Sequence, residues 1–251
     1  MFAPSLHRAV KAATVFLALL PLAWAQPNGN SELDSRLAAF VAANDLAAKE
    51  KILLSITNQF GETAGQPLLN AAIRAADADT RWMAIRGIGY VKFKSAAPRL
   101  IEWLKSPEHY VRANAARALG EIHDDAAVPP LIELLKNETD DGVIQQTALA
   151  LGMLKAIPAL PTLEQKINSP SLQTRMWIID AVDVIGARPE LPFFAQCLND
   201  EDVNVAARAA RAIERITGQD FGFPKANLHG LSEVESGVKR ARSWWQQNQG
   251  R

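Results

Sequence analysis

The sequence predicts an all-α protein: a right-handed α-α superhelix, or solenoid, of about six helical hairpins with a C-terminal cap. A helix-forming segment recurs every 31 or 32 residues along most of the chain. Each copy follows a second apolar segment of helical length, so the repeating unit is a helical hairpin. The composition agrees, since 48% of the 251 residues are hydrophobic and only two are tyrosine. Such a composition favours helices over strands.

Residues 1–25 have the pattern of a secretory signal peptide. A short basic region and an apolar segment at 12–22 precede the small-residue triplet Ala23-Trp24-Ala25. The apolar segment is shorter than the roughly 20 residues that span a bilayer. We therefore predict cleavage between Ala25 and Gln26, with export to the periplasm or the exterior. An uncleaved N-terminal membrane anchor is the alternative.

The remaining chain divides into three parts. Residues 26–31 are a polar linker, residues 32–218 hold the repeats, and residues 219–251 form a loop and a capping helix. Cleavage of the signal removes two of the 27 basic residues and none of the 27 acidic ones. The slight negative charge that results disfavours nucleic acid as a partner.

The best-formed copy of the repeated helix is Val111–Gly120. Its apolar residues, at positions i, i+4, i+7 and i+8 from Val111, share one helical face. The residues equivalent to Gly120 in the other copies are Gly89, Gly152, Asp183 and Glu214. We expect the glycines to let the following helix pack closely, and the two acidic residues to mark wider or more exposed packing. A weaker first copy lies at 51–58.

A partner helix precedes each copy, and a turn rich in N-cap residues separates the two. The predicted partner helices are 33–43, 66–76, 96–105, 127–136, 157–167 and 190–198. Neither helix of such a unit can bury its apolar face alone. Neighbouring units must therefore stack around one continuous core.

The repeat also has a family resemblance. Val111-Arg112-x-x-Ala115-Ala116-x-Ala118-Leu119-Gly120, followed by Ala127-Val128-Pro129-x-Leu131-Ile132-x-Leu134-Leu135, resembles the short HEAT repeat named for phycobilisome lyases. The resemblance covers roughly residues 33–218. Segment 216–222, with paired tryptophans about two dozen residues later, is similar to the end of many bacterial exported HEAT-like proteins. The resemblance implies the solenoid fold. It does not decide function, because the repeat serves scaffolds, adaptors and a few enzymes.

Charged side chains at two equivalent positions of the second helices are the candidate partner-binding residues. They are Arg81, Arg86, Arg112, Arg117, Arg175, Asp180 and Arg211. One interpretation is a groove with basic ends and a more apolar or acidic middle, suited to a segment that carries carboxylates. The other is a structural ladder, in which each arginine pairs with a turn carboxylate of the neighbouring repeat. Trp82, Trp103 and Trp177 are either packing residues or an exposed binding hot spot.

Aromatic residues near the C-terminus are the candidate cap. A solenoid exposes an apolar face at its end, which Phe221, Trp244 and Trp245 could cover. A ligand-stacking platform is the alternative. Ser232 and Glu235 have the spacing of a capping box and predict the start of the last helix.

The sequence predicts no catalytic, cofactor or metal site. The three histidines beyond the signal segment are not followed by glutamate, whereas deoxyhypusine hydroxylase, an enzyme built on this repeat, binds iron through His-Glu dipeptides. Cys197 is the only cysteine, which excludes an intrachain disulfide, and we expect it to be a small buried hydrophobe. We predict a non-catalytic, exported scaffold that binds a protein or peptide on its concave face, without nucleic acid and without stable membrane insertion. The alternative is an enzyme or enzyme accessory of the bilin lyase or deoxyhypusine hydroxylase type.

Overall fold

The computed structural model describes residues 30–186, 190–223 and 231–248. The predicted signal segment, with Ala25 and Gln26, lies outside the described residues. Within those residues the chain forms thirteen α-helices and no strand. The predicted all-α fold class is therefore confirmed.

Twelve of these helices form six consecutive hairpins, as the repeat period predicts. The hairpins are α1 (Ser31–Ala42) with α2 (Leu46–Phe60), α3 (Gly65–Arg74) with α4 (Ala78–Tyr90), α5 (Ala97–Trp103) with α6 (His109–Ile122), α7 (Val128–Asn137) with α8 (Asp141–Met153), α9 (Leu160–Lys166) with α10 (Leu172–Ile185), and α11 (Leu191–Cys197) with α12 (Val203–Thr217). The last helix is α13 (Leu231–Asn248). Short 3-10 turns lead into α3, α5, α7 and α9.

The second helix of each hairpin has defined start and stop signals. Side chains of N-cap residues accept a backbone N–H in the first turn of five of them, and these residues are Asp45, Asp77, Asp140, Ser171 and Asp202. Just beyond the C-terminus of every second helix lies a residue with positive φ. These residues are Gly61, Lys92, His123, Lys155, Gly186 and Gly218. The stop signal thus repeats with the same period as the hairpins.

The second helices form the inner face of the solenoid. Each packs on the next, from α2 through α4, α6, α8 and α10 to α12, whereas consecutive first helices touch at fewer places. A stack curves toward the helices that lie closer together. The surface of α4, α6 and α8 is therefore concave.

Two glycines bring consecutive second helices into close contact. A Cβ on Gly120 would lie 2.7 Å from Ala150 Cα, and one on Gly89 would lie 3.0 Å from Ala118 Cα. The expected close packing is confirmed at these two positions. At Gly152 the nearest atom, Val184 Cγ1, is 3.5 Å away, which is an ordinary contact.

Replacing Gly120 with alanine should lower the free energy of unfolding by about 1–3 kcal/mol, because the added methyl forces two helix backbones apart. The matched variant Gly152→Ala meets only ordinary contacts in a helix interior. Alanine there reduces the conformational freedom of the unfolded chain. The free energy of unfolding should therefore stay unchanged or rise by about 0.4–1 kcal/mol. Urea unfolding of both variants checks this contrast, and equal losses would contradict it.

The final helix packs on the last hairpin, where the cap is predicted. Phe221 is 2% exposed, and its ring lies edge-on to that of Trp244 with the centroids 5.8 Å apart. Glu214, one of the acidic residues in the glycine register, accepts the backbone N–H of Phe221 at 2.6 Å. Arg242 donates from Nε to the carbonyl oxygen of Leu198 at 2.7 Å. These contacts tie the last helix and the preceding loop to the sixth repeat.

The predicted capping box is wrong in one respect. The helix already includes Leu231, so Ser232 lies inside the helix and is not its N-cap residue. The carbonyl oxygen of Ser232 there accepts the hydroxyl of Ser236 at 2.8 Å.

A pair of carboxyl groups joins the first helices of the last two repeats. Burial, and then the neighbouring Glu164 carboxyl, raise the pKa of Glu190 to about 7. The folded state therefore holds this proton more tightly than the unfolded state, and the stabilisation is present below about pH 4.5 and is lost as pH rises through 7. We expect Glu190→Gln to melt a few degrees higher than the wild type at pH 8, with little difference at pH 4. The exposed Glu62→Gln is the control, and a difference independent of pH would contradict the assignment.

Candidate partner-binding surface

Five of the six predicted arginines fall into two classes that differ in their acceptors. The first class points to the turns that join the two helices of a hairpin. Arg81 donates to Glu108 in the next turn at 2.8 Å, and to the carbonyl oxygen of Ala75 in its own turn at 2.9 Å.

Arg112 repeats this geometry one unit later. Its Nε and Nη2 donate to the two carboxylate oxygens of Glu138 at 2.7 and 3.1 Å, and its Nη1 donates to the carbonyl oxygen of Ser106 at 2.8 Å. Burial alone would raise the pKa of Glu138. Hydrogen bonds from Arg112 and from the backbone of Asp140 and Thr139 outweigh that effect and hold the pKa below its ordinary value. The carboxylate is therefore ionised and fully paired.

Arg175 makes the same contacts in the fifth repeat. Its Nε and Nη2 donate to Asp200 at 2.9 and 3.1 Å, and its Nη1 donates to the carbonyl oxygen of Ser169 at 3.0 Å. Its side chain is 8% exposed and that of Asp200 is 11% exposed. The geometry of Arg81, Arg112 and Arg175 is that of the structural ladder.

Sequence reasoning missed the first residue of this ladder, Lys49. Lys49 is buried, and its Nζ donates to Thr80 Oγ1 at 2.6 Å and to the carbonyl oxygens of Phe40 and Val41 at 3.2 Å. It lies 32 residues before Arg81, so the repeat period could have revealed it. At the equivalent position of the fourth repeat the chain has Ile144, whose side chain cannot donate a hydrogen bond to the next turn.

The second class, Arg86 and Arg117, faces the concave surface. Arg117 Nε donates to Glu121 at 2.9 Å, and in the described part of the chain no acceptor is recorded for its two terminal nitrogens. Arg86 Nε donates to the Tyr90 hydroxyl, and its Nη1 lies 3.5 Å from Glu50.

These two arginines line a groove of about 490 Å³ on α4, α6 and α8. Its other lining residues are Trp82, His109, Tyr110, Ala113, Asn114, Asp140, Gly142, Gln145 and Gln146. Trp82 and Tyr110 are half-buried and pack against the core, so they form rigid walls. The groove thus combines aromatic, amide and guanidinium groups in one concavity.

Asp180 and Arg211 lie outside this groove. Asp180 forms an ion pair with Arg208 on the next second helix, and the guanidinium of Arg211 lies 5.1 Å from the ring centre of Phe223. Of the other tryptophans, Trp103 is half-buried on a first helix, and Trp177 has a buried indole N–H without an acceptor in the described residues.

Other reactive groups show no site in the described residues. Those residues contain no cluster of three or more His, Cys, Asp or Glu side chains that could hold a metal ion. Cys197 is buried, as expected, and burial followed by the nearby Asp200 raises the pKa of its thiol to about 12. At that pKa the thiolate nucleophile is not populated near neutral pH. None of the described helices is long and apolar enough to cross a membrane.

Comparison with known families agrees with this architecture. Residues 65–152 match the family model of HEAT repeats. The repeats in residues 65–152 are therefore similar to HEAT repeats. A search of curated proteins finds no match.

Two solved structures share the fold of this chain. The complex of CpcE and CpcF of phycocyanin lyase from Nostoc sp. PCC7120 is 19% identical with a TM-score of 0.56, covering 90% of this chain and 92% of that one. A designed armadillo repeat protein in complex with the peptide (KR)4 is 16% identical with a TM-score of 0.54, covering 74% of this chain and 100% of that one. The predicted resemblance to phycobilisome-lyase-type repeats is confirmed for the fold.

Proposed function

We propose that this protein is an exported, non-catalytic module that binds an extended segment of a protein partner in the groove of α4, α6 and α8. One observation carries the proposal. The groove places half-buried Trp82 and Tyr110 beside Arg117, whose terminal nitrogens have no acceptor in the described residues. A few residues supply most of the binding energy at protein interfaces, and Trp, Tyr and Arg are enriched among them.

The similar solenoids support this use of the fold. One of them is a complex of two proteins, and the other holds a peptide. The first also supports a second candidate function, as a bilin lyase subunit or a related enzyme accessory. Bilin transfer by the purified protein, or stoichiometric bound iron, would favour an enzyme and contradict the non-catalytic proposal.

Site-specific photocrosslinking in the native cell tests the groove. A photoreactive amino acid at Ala113, which lines the groove, should capture a partner protein. The same group at exposed Gln165, on the outer helix α9, is the matched control and should capture none. Capture at Gln165 without capture at Ala113 would contradict the proposal.

Export rests on the sequence of residues 1–25 and needs its own test. Mass spectrometry of the exported protein should find Gln26 at the N-terminus. An intact Met1 would contradict cleavage and favour the anchor.

A further inference from the structure

We infer that the groove selects a peptide segment with a single acidic side chain flanked by apolar residues. The carboxylate lies between Arg86 and Arg117, and an apolar side chain packs on Trp82 and Tyr110. This inference rests on the proposed function and deepens it by naming the chemistry of the bound segment.

The contrast between the two arginine classes is the first argument. In the ladder, Arg112 and Arg175 use Nε and both terminal nitrogens on protein acceptors. Arg117 uses Nε alone, on Glu121. A guanidinium binds a carboxylate through two parallel N–H groups. Arg117 lines the groove, and its two terminal nitrogens have no acceptor in the described residues.

The two groove arginines differ in how firmly their carboxylate partners hold them. Glu121 is 15% exposed and holds Arg117 at its Nε edge. Glu50 is 48% exposed, and its 3.5 Å contact with Arg86 is longer than a normal hydrogen bond between charged groups. A pair this exposed contributes little to stability, so an incoming carboxylate can replace Glu50 on Arg86.

The groove also offers an unmet hydrogen-bonding group to a peptide backbone. Gln146 Oε1 is buried and has no partner in the described residues. A peptide N–H that reached this oxygen would satisfy it. If the amide were turned over, a peptide C=O would accept from its N–H group instead. Because this end of the amide is buried, a peptide unit supplies the missing partner once the Gln146 side chain turns toward the groove.

The surrounding charges limit how acidic the segment can be. The groove and its edge also carry the carboxylates of Glu50, Glu121 and Asp140. A chain with a negative charge on every residue or nucleotide would therefore be repelled. A basic segment would meet the two arginines. One carboxylate among apolar residues fits both conditions, whereas a nucleic acid does not.

Selection from a random decapeptide library on the full-length mature protein tests this inference. Selected peptides should carry one Asp or Glu between apolar residues. The best peptide should bind at least tenfold more tightly than the same peptide with Asn or Gln in place of the acidic residue. It should exceed the peptide (KR)4 by the same factor. Arg117→Gln should abolish the preference for the acidic form, whereas Arg99→Gln, an exposed arginine on the outer helix α5, should keep it.

The outcomes separate the inference from the proposed function. Peptides that crosslink at Ala113 but show no acidic preference would overturn the inference and leave the groove function standing. An oligothymidine that binds more tightly than the best peptide would also overturn it. If no peptide binds and no partner crosslinks at Ala113, both fail.

Discussion

Replacing Arg175 with alanine is expected to lower the free energy of unfolding by about 3–5 kcal/mol. The side chains of Arg175 and Asp200 are 8% and 11% exposed, so removal of the cation leaves a carboxylate buried without its partner. The carbonyl oxygen of Ser169 loses its donor as well. Urea unfolding measures the loss.

A second arginine on the next repeat is the matched control. Arg208 pairs with Asp180, but both side chains are more than a third exposed, at 39% and 38%. Arg208→Ala should cost less than about 1 kcal/mol, because water replaces the lost partner. Equal losses in the two variants would contradict the distinction between ladder and surface arginines.

The double replacement of Trp244 and Trp245 with alanine should destabilise the protein by about 3–5 kcal/mol. Both rings pack against the core, and Trp244 also covers the buried ring of Phe221. Their loss would open the apolar end of the sixth repeat to water. Thermal unfolding of the free protein measures this effect.

An unchanged melting temperature would contradict the cap and favour the ligand-stacking platform. Leu231→Ala is the control on the same helix, because this side chain is already 62% exposed. It should change the free energy of unfolding by no more than about 0.5 kcal/mol.

The repeat itself could be predicted from the sequence, because the apolar period and the turn residues recur in every unit. Register separates the two classes of arginine around the helix, but it does not show which acceptors each class reaches. Arg112 and Arg117 are five residues apart, which rotates them by about 140° around the helix. That rotation turns one side chain to the turn and the other to the groove. The acceptor of Arg112, Glu138, lies 26 residues away in the next turn, and stacking alone brings it within reach.

The stop signal of the second helices also escaped sequence reasoning. Glycine is the usual residue for positive φ, yet the second, third and fourth of the six copies have Lys92, His123 and Lys155. Their side chains conceal a position whose φ is positive in every repeat. The groove was hidden for a similar reason, since Trp82, Tyr110 and Gln146 come from three different repeats.

The absence of a ladder arginine at Ile144 has a mechanical consequence. Joints in series share a bending load according to their stiffness, and the softest joint takes most of the bend. Between the fourth and fifth repeats, Thr174 donates to Asp141 at 2.5 Å, whereas the second, third and fifth repeats each pair an arginine with a carboxylate of the next repeat. Gly152 also keeps a looser contact there. Amide hydrogen exchange should therefore divide the described helices into two blocks at this joint, with α1–α8 in one and α9–α13 in the other. A single exchange block would contradict this. Flexing there would leave the groove rigid and swing the C-terminal third of the molecule toward or away from whatever the groove holds.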